Sequence, residues 1–207
     1  MAIQNLGDLK TAVGTWLNRA DLTSYIPDFI RLGEQRIFYG GDDPHLTEPL
    51  RIPAMMARDT GAISSGAISF PTRFLESIRI GANSGLGYWP LDYLSPQRFS
   101  EYINSDAQPT VYTIMNNQIE TAGTGAADYI HDYYQAFSTL TADADTNWVL
   151  TNAPGIYLYA ALIESSPFLV DMTMFNGWLA MYKSQVASVN HTTKRYAGGS
   201  LAARVVK

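Results

Sequence analysis

Apolar residues recur at three- and four-residue steps at both ends of this chain and at two-residue steps in its middle. Leu6, Leu9, Val13, Trp16 and Leu17 fall on one helical face, and Asn5 before them can accept a hydrogen bond from a free N–H of the first turn. This helix is expected to end between Asn18 and Asp21. A second begins in "TSYIPDF", with Thr23 or Ser24 as cap, Pro27 in the first turn where its missing N–H is harmless, and Asp28 favouring the N-terminal dipole. Ile26, Phe29, Ile30 and Ile37 make its stripe, and Gly40-Gly41 stops it. The short connection predicts an antiparallel helical hairpin.

Between about 52 and 140 the period changes. "GAISFPTRFLESIRIGA" and "GYWPLDYL" carry alternating and β-branched residues broken by Gly and Pro, the pattern of strands. "SPQRFSEYIN" reads as a short helix with Ser95 as cap and Pro96 at its first position. In "TVYTIMNNQIETA" Asn116-Asn117 can adopt the positive φ angles of a tight hairpin turn. "DYIHDYYQAF" is expected to pair beside that hairpin. Helical spacing then returns: Trp148, Val149 and Leu150 lead to Pro154, which opens a helix burying Ile156, Tyr157, Ala160, Ala161 and Ile163 until Pro167 ends it. From about Val170 a last helix carries Met174, Phe175, Trp178, Met181, Tyr182 and Val186.

The predicted fold is α+β, a helical bundle built from N- and C-terminal helical hairpins with a small antiparallel β-region inserted. Its expected parts are the bundle at 1–51 and 141–191, the β-region at 52–140 and a C-terminal extension at 192–207. A chain of 207 residues is long enough to bury a core without a staple. It has no cysteine, which removes disulfides, thiolate metal sites and thiol nucleophiles. No run of about 18 apolar residues occurs, and "MAIQNLGDLK" does not read as a signal peptide. The expectation is a soluble protein without membrane association, made and kept in a cytoplasm.

Charge divides the chain more sharply than its total of −5 suggests. The last 16 residues carry Lys194, Arg195, Arg204 and Lys207 and no carboxylate, so they hold +4 and the preceding 191 hold −9. An acidic body argues against wrapping around nucleic acid, which requires a basic face. The basic extension is either a solvated terminus or a segment that orders on a partner.

Candidate chemistry is sparse. "YGGDDPHLTEP" gathers Asp42, Asp43, His45 and Glu48, yet no second ligand cluster accompanies them and the spacing matches no metal motif; a polar loop is the simpler reading. His131 sits in an alternating strand pattern and His191 at an expected helix end. "GANSGLG" lacks the Lys and Ser/Thr of a phosphate loop and reads as a turn, and no G-x-S-x-G elbow is present. No catalytic residue, cofactor or metal is assigned.

Taken in order, "LGDLKTAVGTWLNRADLTSYIPDFIRLGEQRI", "ISFPTRFLESIRI", "LDYLSPQRF" and "TNWVLTNAPGIYLYAALIESSPFL" resemble the head-to-tail adaptor, or connector, family of tailed bacteriophages, which includes tail tubular protein A of short-tailed phages and head-completion proteins. The resemblance covers about residues 4–185. "DDPHLTEPLRIP" is longer than the family's usual passage into the first strand, and the chain departs again after Asn190.

The resemblance implies a structural virion protein of the head-tail junction, not an enzyme. Its implied partners are the portal protein, tail or nozzle proteins and further copies of itself in a ring of about twelve subunits. Genomic DNA would pass through the channel without sequence-specific binding, an acidic wall keeping it from sticking. It further implies that the extension grips the portal, with Lys194, Arg195 and Arg204 meeting acidic groups, Tyr196 among the binding residues, and Leu201, Val205 and Val206 buried beyond the Gly198-Gly199 hinge. The competing reading is a carbohydrate-binding module or lysis-related hydrolase using Tyr88, Trp89, Tyr93, Tyr133 and Tyr134 of the β-region.

Overall fold

A computed structural model describes residues 2–41, 47–83, 87–102, 108–123, 127–169 and 172–197, and of residues 20, 172 and 192–197 the backbone alone. Among these the fold is α+β, as the two periodicities predict, with six α-helices and eight strands. The chain divides into two compact units, residues 1–54 with 137–207 and residues 55–136. No helix among the described residues is long and apolar enough to cross a membrane.

In the first unit α1 spans Leu6–Leu17, and the Asn5 side chain accepts from the Asp8 N–H at 2.9 Å, the expected cap. The next free N–H groups, of Leu6 and Gly7, donate to the carbonyls of Asp145 and Asp143. Leu6, Leu9, Ala12 and Val13 are buried. Trp16 is not in that stripe: it is 51% exposed, its ring edge-on to Tyr159 at 5.8 Å, because it lies on the last turn before Asn18 leaves the helix in a left-handed conformation.

Helix α2, Ile26–Tyr39, has Pro27 in its first turn and ends at Gly40, whose φ of 85° suits glycine. Neither Thr23 nor Ser24 caps it. The chain enters through a 3-10 turn at Ala20–Leu22, Tyr25 is the cap position with no side-chain bond, and its carbonyl takes the Asp28 and Phe29 N–H groups.

After the short α4, Trp148–Asn152, capped by Asn147, helix α5 runs from Pro154 to Leu169. Every residue from Ile156 to Ile163 is buried, so α5 is apolar all round and occupies the centre, with α1, α2, α4 and α6 packed on it. Pro167 does not end it. So near the C-terminus the proline forfeits one helical hydrogen bond, and Ser165 and Ser166 both donate to the Leu162 carbonyl, at 2.8 and 3.1 Å. Helix α6, Met172–Ala197, buries Trp178, Tyr182, Val186 and Asn190 at four-residue steps. His191 is therefore inside a helix, not at its end, and Met174 and Met181 are about half exposed rather than buried.

The second unit is two four-stranded sheets sharing one core. The first has the order β1 (Met56–Ala62), β8 (Asp128–Gln135), β3 (Phe74–Asn83), β4 (Tyr88–Pro90); the second has β2 (Ala67–Ser69), β7 (Gln118–Ala122), β6 (Val111–Met115), β5 (Asp92–Tyr93). Ile80 and Ala82 of β3 meet Ile68 of β2 and Ile119 of β7 in the core, with Leu91 and Ala127.

The β6–β7 hairpin turns at Asn116 and Asn117, with φ of 51° and 57°. Asn117→Gly is expected to preserve stability, whereas Asn117→Val, β-branched at positive φ, lowers it by about 1–2 kcal/mol; urea titration of the two variants distinguishes them. Pro96 opens α3, Pro96–Phe99, although the Ser95 side chain makes no cap bond.

One strand expectation changes. "DYIHDYYQAF" does not pair beside the hairpin: β8 is an inner strand of the other sheet, antiparallel to both β1 and β3. Its alternation explains this, since His131 and Tyr133 are buried on one side while Asp132 on the other lies between Arg58 and Arg79, its partners on the two flanking strands. The region is mainly antiparallel, as expected; β5 and β6 are parallel because α3 intervenes between them and returns the chain in the same direction.

Candidate interaction surfaces

His131 lies near both a serine and a carboxylate. Ser77 Oγ lies 2.9 Å from its Nε2, and Asp59 is its cross-strand partner. The third link of a catalytic triad is missing: Nδ1 has no hydrogen-bond partner, and Asp59 Oδ2 accepts from the Tyr129 hydroxyl at 2.8 Å. The ring is fully buried between Phe74 and Tyr133, and burial pushes its pKa down, so it stays neutral. This is the bonding of a packed histidine. Burial, followed by the Asp59 hydrogen bond, pushes the Tyr129 hydroxyl up to about 12.

Asp42, Asp43 and His45 lie outside the described residues; Glu48 is exposed, and the described residues hold no group of three or more His, Asp or Glu able to bind a metal. The aromatic residues of the carbohydrate reading do not share a surface. Tyr133 is buried, Trp89 packs on the sandwich core and donates to the Pro109 carbonyl at 2.7 Å, and Tyr93 is on the other sheet beside Tyr112. Only Tyr88 and Tyr134 belong to the outer face of the first sheet. There the Tyr88 ring covers Gly81 so closely that a Cβ at this position would collide with it.

On the same face, Asp132 joins three strands. Arg58 of β1 donates from Nε and Nη2 at 2.6 and 3.0 Å, and Arg79 of β3 donates from Nε at 2.5 Å, with its guanidinium 5.5 Å from the Tyr88 ring. The Arg58 hydrogen bond first, and Arg79 with it, hold the Asp132 carboxyl below the usual range. Both arginines are more than half exposed, so water screens the ladder and it orients side chains more than it stabilises the sheet.

The helical unit exposes larger apolar groups. Tyr25, Leu32 and Tyr39 stand at seven-residue steps along α2 and are 45, 45 and 70% exposed. Phe168 of α5 continues the stripe against Tyr25, ring centroids 5.0 Å apart. Beside Leu32 and Tyr39 runs a groove of about 440 Å³ walled by Arg36 and Glu164, which are paired at 2.5 Å. A second groove, of about 550 Å³, lies between α1 and α2 over Gly14, edged by Lys10 and Arg19. Both of these cations are paired, with Asp143 and Asp21. The outer α2 stripe escapes a reading of the sequence for cores, because the stronger inner stripe sits on the same helix; its signal is a second apolar set at i, i+7 and i+14.

Of the residues expected to grip a portal, Lys194, Arg195 and Tyr196 fall on the last turn of α6 with side chains outside the description. Leu201, Arg204, Val205 and Val206 lie outside the described residues altogether. A family model described as SU10 adaptor protein matches residues 4–204. The chain belongs to the SU10 adaptor family. These are structural adaptors of bacteriophages and virion components, not a class of enzymes. An adaptor is consistent with a packed His131 and with exposed apolar stripes, which suit protein partners rather than a small substrate. No curated protein matches the chain.

Proposed function

We propose that this adaptor joins head to tail: a ring of about twelve copies sits below the portal, continues the DNA channel and presents the surface on which tail or nozzle proteins assemble. The observation that carries the reading is the family match over residues 4–204, which takes in the helical unit, the sandwich and most of the basic extension. The affinity with tail tubular protein A belongs to the same proposal. So does the assignment of segments 1–51 and 141–191 to a bundle of helical hairpins that builds the ring, with 52–140 as its β insertion.

The charge division supports distinct jobs for body and extension. An acidic body disfavours DNA adhesion, while Lys194, Arg195 and Arg204 are suited to acidic groups on a portal and Tyr196, Leu201, Val205 and Val206 to burial there. A segment that orders only on binding loses roughly 1–2 kcal/mol of backbone freedom per residue, so such a grip requires a large portal surface.

Mass photometry of the chain alone and with its cognate portal ring tests the reading: the expected product is the portal plus about twelve copies, and no association would sink it. Truncation after Ala197, the end of α6, is expected to leave the circular dichroism spectrum unchanged and weaken portal binding at least about tenfold. Undiminished binding would clear Leu201, Arg204, Val205 and Val206 of the grip and leave it to Lys194, Arg195 and Tyr196 or to another surface.

A further inference from the structure

The exposed side of α2 is a regular seam. Tyr25, Asp28, Leu32, Gln35 and Tyr39 are all exposed and follow one another at alternating steps of three and four, the spacing with which a helix meets another helix. Helix α6 carries a second seam of the same period. Met174, Gly177, Met181, Ser184 and Ser188 are all exposed and none is charged. Each seam spans 15 residues, 14 helical rises or about 21 Å of helix axis. Their side chains differ in the complementary sense: α2 offers two tyrosines and a leucine, whereas α6 offers flexible methionines separated by small residues.

Gly177 is the least explained residue of α6 within its own fold. It lies in a helix interior, where glycine is unfavourable, and a Cβ there would meet no atom within 4 Å. Nothing within the described chain requires its missing side chain. A bulky knob from a neighbouring helix would. The two seams belong to different helices packed on α5, so a contact between them in separate copies is head-to-tail and propagates, as a ring requires.

We propose that the α2 seam of one copy packs on the α6 seam of the next, with Leu32 at its centre opposite Met181 and the Tyr25 and Tyr39 rings seated beside the small residues. This rests on the reading of the chain as a ring-forming adaptor and names the surfaces that close the ring. The methionines provide adaptable, polarizable contact to the aromatic rings.

The chain has no cysteine, so a crosslink reports only introduced positions. Full-length Leu32→Cys and Met181→Cys variants, mixed with a short cysteine-to-cysteine crosslinker at a concentration where mass photometry shows oligomers, should give covalent dimers. The double variant should give a ladder. Each single variant alone should crosslink no more than Thr60→Cys on the sandwich. A second arm replaces Gly177 with leucine, which should reduce oligomer at least tenfold while leaving the monomer's helical signal intact. Self-crosslinking of Leu32→Cys equal to the mixture would show a two-fold contact and overturn the proposal. Oligomers without mixed crosslinks would overturn this interface and leave the adaptor reading standing, and absence of oligomers even on a portal ring would bring down both.

Discussion

Gly33→Val is expected to remove about 3–4 kcal/mol of stability from the helical unit, a large part of the 5–15 kcal/mol typical of a domain. Gly33 lies where α2 crosses α5. A Cβ at this position would sit 2.9 Å from the Ala161 nitrogen, 3.0 Å from the Ala160 carbonyl carbon and 3.1 Å from the Ala160 Cβ. Two of these atoms are backbone of the central helix and cannot rotate away, so relief requires the helices to separate. Separation loosens Phe29, Ile30 and Ile37, all buried on the same face of α2. Gly33→Ala sets a better helix former against the same clash and is expected to lose about 1–3 kcal/mol. Urea unfolding followed at the helical circular dichroism band measures both variants. An alanine variant as stable as the parent would mean that the helices do not touch backbone to backbone.

That crossing also shows what a sequence can and cannot disclose. Periodicity located α1, α2, α5 and α6 because each must bury a stripe, and Asn5, Pro154 and Asn116-Asn117 marked local events whose chemistry depends on a few neighbours. Gly33 carried no such mark, since its reason is a backbone contact with a helix more than a hundred residues away. The partner of β8 was hidden for the same cause. Met56 pairs with Tyr134 and Phe74 with Gln135, whereas a local reading favours the adjacent hairpin. The candidate surfaces divide likewise. A second stripe on α2 is visible once the first is subtracted, but the Arg58–Asp132–Arg79 ladder exists only when three distant strands are brought side by side.

Tyr157→Phe is expected to cost about 2–4 kcal/mol near neutral pH, because one buried hydroxyl serves two groups, the buried Glu34 and the half-buried Asn147. It donates to Glu34 Oε1 at 2.9 Å and accepts from Asn147 Nδ2 at 2.8 Å, while Asn147 also caps α4. Burial pushes the Tyr157 pKa far up, which keeps the proton on the donor. Glu34, 9% exposed, has its pKa raised, first by burial, with the Tyr157 hydrogen bond and then Arg31 acting against the rise. The folded chain therefore holds the Glu34 proton to a higher pH than the unfolded chain does. The associated stability is fully present below the ordinary carboxylate range and is lost as pH rises through the folded value. Removing the hydroxyl leaves the carboxylate with less compensation and raises that value further. The penalty of Tyr157→Phe should thus be smaller at about pH 5 than at about pH 8, while Glu34→Gln removes this site's dependence altogether. Urea midpoints of the parent and both variants at the two pH values decide the matter. A Tyr157→Phe penalty independent of pH would show that the cost comes from Asn147 alone and that Glu34 finds water or another donor.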